Sequence, residues 1–178
     1  MTTQHFVFLL VEGHTHLTLA CATEPLRIAN MISEEDLYSW SYASEDGVSS
    51  TASNGSVTLV QHPFSDLPKC DRLFVIPGLG MTDHITPALL GCLRKARATG
   101  TRVGALCSGA WILAEAGFLD GMKAAIHWEY HDAFTESFPE VALVRNVFVS
   151  DEKHITASGG TATADLMLHL VDQDHGYD

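Results

Sequence analysis

The groups able to do chemistry in this 178-residue chain are four cysteines, ten histidines and a surplus of carboxylates. Cys21, Cys70, Cys92 and Cys107 form no CxxC pair, which argues against a zinc site and against a disulfide framework. The histidines are scattered. None lies in an HExxH arrangement, and His14 and His16, two apart, do not share a helix face, so they read as solvated or core residues and no metal is expected. One thiol stands apart. In "TRVGALCSGAWILAEAGFLDG" (residues 101–121), Cys107 sits where an apolar run stops and a small-residue turn enters a helical pattern. A nucleophile on such a strand-to-helix corner needs small neighbours because the backbone is crowded, and Gly104, Ala105, Ser108 and Gly109 supply them. The GxSxG spacing of a nucleophile elbow is not matched to the letter, since Ala105 stands two before the cysteine. The helix that follows points its N-terminus at the thiol, an arrangement expected to lower its pKa and present it to a ligand. The N–H of Ser108, with one from Gly78 or Leu79 in "PGLG", would form a pocket for an oxyanion or a carboxylate. The plain alternative is a small buried residue at a tight turn.

Elements must position these groups. Apolar residues make up 46% of the chain and charged residues 18%, enough to bury one sizeable core and too apolar for disorder. "HFVFLLVE" (residues 5–12), "YSWSYAS", "DRLFVIPG" (residues 71–78), "TRVGAL" and "KAAIHW" read as strands, and "SNGSVTLVQH" as a turn with a short hairpin-like element. Helical spacing follows in "THLTLACATEPLRIANMI", with Thr15 as cap and Pro25 as a kink or local break. It recurs in residues 82–99, in "SGAWILAEAGFL", in "EYHDAFTESF" and in "GGTATADLMLHLVDQD", the last with Ala162, Leu166, His169 and Leu170 on one face. Short strands surround the turn at residues 151–153. Alternating strands and helices, with continuous apolar strands, predict an α/β three-layer sandwich: a mostly parallel central sheet with helices on both faces. Ligands bind such sheets at the carboxyl ends of strands, where Glu12 and Gly13, "PGLG" and "CSG" fall.

Formal charge is −12 with histidine neutral, so the chain repels phosphate backbones and should not bind nucleic acid by itself. No window approaches eighteen apolar residues, and the N-terminus reads as a strand rather than an export signal, which makes the cytoplasm the default and gives no membrane partner.

The motifs "VIPGLG", "GALCSGAWILAEAGFLDG", "AAIHWEY…F…FPEV" and "ITASGGTATADLMLHLV" carry a resemblance along nearly the whole chain. The sequence resembles the ThiJ/PfpI branch of the class I glutamine amidotransferase-like, flavodoxin-like fold. Within it, "AGFLDG", "HWE", "FPEV" and "GGTATADLMLHLV" are similar to the N-terminal sensor domain of AraC-type (GlxA-like) transcription regulators. The resemblance implies a single effector-sensing domain over residues 1–178, homodimeric, without a cofactor. DNA would be bound only through a C-terminal helix-turn-helix domain outside this chain. The implied effector is a small amino-acid-like or quaternary ammonium compound, such as glycine betaine, carnitine or arginine.

Carried over residue by residue, the nucleophile position falls on Cys107, its acidic companion on Glu24 and an approaching histidine on His127. Protease-like and amidase-like members place a histidine directly after the cysteine, where this chain has Ser108, which leaves His127 as the candidate base. The expected effector site is Glu24, Gly78, Leu79, Cys107, Ser108, His127 and Trp128, with no catalytic residue. Aromatic faces from Trp111, Trp128 and Tyr130 with the Glu129 carboxylate would suit a cation, although core packing is the simpler use of Trp111. The alternative is a cysteine-dependent amidase, isonitrile hydratase or glyoxalase-like enzyme using Cys107, Glu24 and His127. A third reading is a sensor of oxidation at Cys107.

Overall fold

A run of apolar residues from Phe6 to Val11 is buried throughout, with Phe6, Val7, Phe8 and Leu9 at 0% exposure, because it forms the middle of a sheet covered on both sides. The computed structural model describes residues 2–176. Its main sheet has seven strands in the order β10-β11-β7-β6-β1-β2-β5. These are β1 (Gln4–Leu10), β2 (Tyr38–Ser44), β5 (His62–Pro63), β6 (Arg72–Ile76), β7 (Arg102–Ala105), β10 (Phe148–Ser150) and β11 (His154–Ala157). Every pairing is parallel except that of β10 with β11. Two small ladders flank it: the antiparallel hairpin β3 (Ser49–Thr51) and β4 (Val57–Leu59), and the parallel pair β8 (Lys123–Ala124) and β9 (Ala142–Leu143).

The period of two along each strand divides the interior into two cores. Val7, Leu9 and Val11 of β1, with Leu73 and Val75 of β6, face Leu89 and Leu93 of α2 (Pro87–Ala98), Ile112 and Leu113 of α3 (Ala110–Glu115) and Phe134 of α4 (His131–Ser137). Phe6, Phe8 and Leu10, with Phe74 and Ile76, face Leu19, Ala22 and Leu26 of α1 (His16–Ser33) and Leu166, Met167 and Leu170 of α5 (Ala162–His175). The three-layer sandwich is therefore observed.

Several local expectations change. Helix α1 runs unbroken through Pro25, whose missing N–H removes only one bond, while buried Leu19, Ala22 and Leu26 hold the segment against the sheet. Residues 82–99 are two pieces: a 3-10 turn Met81–His84, then α2. Pro87 explains the break, since it keeps Thr86 extended (φ −97°, ψ 158°), and the Thr86 hydroxyl then caps α2 by accepting from the Leu89 N–H. In α5 the buried face is Thr163, Leu166, Met167 and Leu170, turned one residue from the expected stripe, and Ala162 and His169 are only half-buried.

An ion pair missed at the sequence level ties the central sheet to the closing helix. Arg72, at the start of β6, donates two hydrogen bonds (2.6 and 2.7 Å) to Asp174 near the end of α5, and the Tyr38 hydroxyl donates a third at 3.0 Å. Their side chains are 8% and 10% exposed. Burial pushes the Asp174 carboxyl up, and the Arg72 hydrogen bonds and charge reverse that, leaving its pKa below the usual carboxylate value.

Candidate functional site

Strand β7 ends at Ala105, and the chain then turns sharply so that Cys107 takes φ +59°, a left-handed conformation unusual for a residue with a side chain. The turn is held at each step. Leu106 donates its N–H to the Val75 carbonyl (3.0 Å), Gly109 to Leu106 (2.9 Å), and His127 to the Cys107 carbonyl (3.0 Å). Gly109 has no room for a side chain, because a Cβ there would lie 2.8 Å from the Leu106 oxygen. Gly104 is small for another reason: a Cβ would lie 2.3 Å from the Phe74 ring on β6, so its size serves sheet packing rather than the cysteine turn.

The elbow exists, but the thiol is not the exposed thiolate expected of it. Cys107 is 3% exposed. Burial pushes its pKa above the ordinary thiol value; the Thr15 hydroxyl, then the Ser108 amide and hydroxyl, pull the other way without reversing it. The Ser108 amide at the entry to α3 is the contribution of the helix end, and it is smaller than the desolvation. The polar partner of the sulfur is the Thr15 hydroxyl, at 3.7 Å. This also corrects the role of Thr15, which begins α1 but makes no side-chain cap.

Of the residues expected around the thiol, Ser108 and Gly78 are brought together. Ser108 is fully buried, and its hydroxyl donates to the Gly78 carbonyl at 2.7 Å. The contact uses Gly78's carbonyl, not the amide expected for an anion pocket. Gly78 cannot carry a side chain either, because a Cβ would lie 2.1 Å from the Gly13 carbonyl oxygen. His127 approaches through its backbone, while its ring accepts from the Glu129 N–H (3.4 Å) and makes no hydrogen bond to the thiol.

Glu24 does not join them. It lies on the exposed side of α1, where Arg27 donates to it at 2.6 Å. A polar α1 residue that does point inward is Thr18, six positions earlier and fully buried, whose hydroxyl accepts from the Gly160 N–H at 2.9 Å. A helix turns once in 3.6 residues, so Glu24 belongs to a different stretch of the helix from the one that meets the cysteine. Leu79 is 56% exposed and Trp128 is 73% exposed, resting on the His127 ring at 5.5 Å. Trp111 packs edge-on against Tyr130, Phe134 and Phe138, so the tryptophans form no common aromatic cage.

Sequence reasoning gave Thr15 only a capping role and gave Thr18, Gly159 and Gly160 no place in the site. A Cβ on Gly159 would lie 2.5 Å from the Cys107 Cα, which makes the "SGG" after β11 the wall of the nook. The doubled glycine was the available signal. His14, the residue before Thr15, is fully buried with Nδ1 3.1 Å from the Ser50 hydroxyl and Nε2 without a partner among the described residues. A groove of about 270 Å³ opens at the carboxyl ends of β1 and β2, lined by Glu12, Glu45, Asp46 and Asp83, and Cys107 is not among its walls. Among the described residues no group of His, Cys, Asp and Glu is arranged to hold a metal, and no helix is long and apolar enough to cross a membrane. Among the described residues, the Cys107 thiol thus sits in a hydroxyl-lined nook, its pKa raised by burial, and makes no hydrogen bond to a histidine or carboxylate side chain.

The sequence profile of the DJ-1/PfpI family matches residues 22–173. The HTH-type transcriptional regulator CdhR of Pseudomonas aeruginosa is 43% identical over 173 residues, 97% of this chain and 51% of the relative, so the chain spans about half the length of that regulator. An isonitrile hydratase of Pseudomonas putida is 32% identical over 140 residues, 75% of this chain and 58% of the enzyme. The crystal structure of an AraC family transcriptional regulator from Pseudomonas putida superimposes with a TM-score of 0.87 at 26% identity, covering 97% of this chain and 93% of that one.

Proposed function

The chain belongs to the DJ-1/PfpI family, and from that premise we propose that it is the effector-sensing and dimerisation domain of a cytoplasmic AraC-type transcription regulator. The observation that carries the reading is the 43% identity to a transcriptional regulator along 97% of this chain. DNA contact belongs to a further domain of the whole protein, which fits the −12 charge of this one. The effector is a small amino-acid-like or quaternary ammonium compound, bound without a cofactor beside Cys107, Ser108, Gly78 and His127. Support for a binding role rather than turnover comes from the thiol itself, which is buried, has its pKa raised by that burial, and finds its polar partners in Thr15 and Ser108 rather than in a histidine.

A thermal-shift panel of glycine betaine, carnitine and arginine tests the effector class, since a ligand that binds only the folded state raises the melting temperature. No shift with any of the three removes that class. Light scattering tests the dimer, and a monomer at working concentration removes that part. The strained elbow and the likeness to an isonitrile hydratase favour one competing reading, a cysteine-dependent enzyme. Turnover of a small isonitrile or amide that disappears in Cys107→Ala would establish it instead.

A further inference from the structure

At the opposite end of the sheet from Cys107, a cavity of about 890 Å³ lies between α2, the loop over residues 64–71 and the amino ends of β6 and β7. Its size is that of a small-molecule site. Its floor is apolar, built from Phe64, Leu67, Leu73, Ala88, Cys92 and Ala96. We infer that this cavity is a second ligand site, independent of the effector reading, for an amphipathic carboxylate whose tail lies on that floor and whose charge meets Lys69 and Lys95 at the rim.

Four observations support it. Lys69 and Lys95 both line the opening, and neither pairs with a carboxylate among the described residues, in a chain with only ten cationic side chains against twenty-two acidic ones. The acid in the wall, Asp71, already accepts from the His5 N–H at 2.8 Å. The C-terminal carbonyls of α2, which would repel an anion, are taken: the Thr99 hydroxyl donates to Lys95 and Ala96, and the Thr101 N–H donates to Ala96.

Gly91 is the fourth. It sits inside α2 on the face that lines the cavity, although glycine weakens a helix interior. Its backbone is ordinary helix, with no left-handed φ, and a Cβ there would meet nothing within 4 Å. Neither conformation nor packing asks for a glycine at this position. Close approach of a ligand to the helix does.

The experiment is titration calorimetry of the protein with decanoate, decyltrimethylammonium and decanol, paired with alkylation of the half-buried Cys70 at the cavity wall. Decanoate should bind about tenfold more tightly than the cation of the same tail and should protect Cys70 but not Cys107 from alkylation. Gly91→Leu fills the space without disturbing the fold, so it should abolish binding while the melting temperature holds or rises. Lys69→Gln with Lys95→Gln should weaken decanoate by about fivefold and leave decanol unchanged. No decanoate binding below its micelle threshold, equal affinity for anion and cation, or full binding by Gly91→Leu would each overturn the inference.

Discussion

Gly159 and Cys107 are in such close contact that a Cβ on the glycine would lie 2.5 Å from the Cys107 Cα and 2.7 Å from its Cβ. Gly159 also has φ +89°, so a substitution there strains the backbone as well as clashing. Gly159→Ala should destabilise the domain by about 2 kcal/mol or more, read as a lower urea midpoint. A stability within error of the wild type would show that the β11–α5 turn yields freely. Because Cys107 is the residue displaced, the same variant should also expose the thiol to alkylation.

The Cys107 thiol should be slow. With 3% exposure and a raised pKa it should react with iodoacetamide at neutral pH at least about tenfold more slowly than glutathione, and its pH–rate midpoint should lie above that of a free thiol. Thr15→Val removes the hydroxyl that steadies the thiolate and should move the midpoint further up. The sign for stability follows: a thiol whose folded pKa is raised contributes fully below its unfolded value and loses that contribution as pH rises through the folded one. With Cys70 pushed up to about 11 and Cys92 to about 12, alkaline unfolding should set in above pH ~9 and ease in Cys92→Ala after allowing for the lost volume of the thiol group.

Asp174 anchors α5 to β6, so removing it leaves the Arg72 guanidinium buried without its counter-charge. Asp174→Asn should lower stability by about 3–5 kcal/mol, and Arg72→Met with Asp174→Leu should recover much of that loss. The Asp174 pKa is depressed, so its stabilising contribution is present above the unfolded carboxylate value and is lost as pH falls through the folded one. Acid denaturation of Asp174→Asn should accordingly be less steep than that of the wild type.

His14 and His154 are buried, and burial lowers both pKa values; neither nitrogen of His154 has a partner. Around His154, Asp151 favours its charged form, and Arg97 and Lys153 oppose it. Below pH ~6.5 the unfolded chain takes up protons that the folded chain refuses, so stability falls as pH drops from there toward the folded pKa values, by up to about 1.4 kcal/mol per pH unit for each histidine. Unfolding curves at pH 7.5 and 5.5 should show this loss, and His154→Phe, placed beside the Phe118 ring, should show less of it. An equal loss in the variant would assign the acid sensitivity elsewhere.

Much of the architecture was legible because it rests on short-range pattern. The period of two in "HFVFLLVE" and "DRLFVIPG" specifies two buried faces, and the helical spacings between strands specify a parallel sheet with helices on both sides. The corner at Cys107 was legible too, since a run of small residues between a strand and a helix has few conformations open to it. Pattern failed where one long-range contact outweighed it. Packing of Leu19, Ala22 and Leu26 carried α1 through Pro25, and the extended Thr86 divided a stretch whose periodicity looked continuous.

The chain's order of residues by itself determined the layers, the strand that delivers Cys107 and the sharp turn it sits on, all set by neighbours a few positions away. Only the tertiary structure decided what surrounds the sulfur. Thr15 lies ninety-two positions from it, Gly159 arrives from another strand, and the helix that carries Glu24 is rotated so that Thr18 faces inward and Glu24 faces water. Desolvation is a property of all these contacts together. It governs the thiol's pKa more strongly than the local helix end does, and so a corner that resembles a nucleophile in the sequence folds into a buried, protonated thiol.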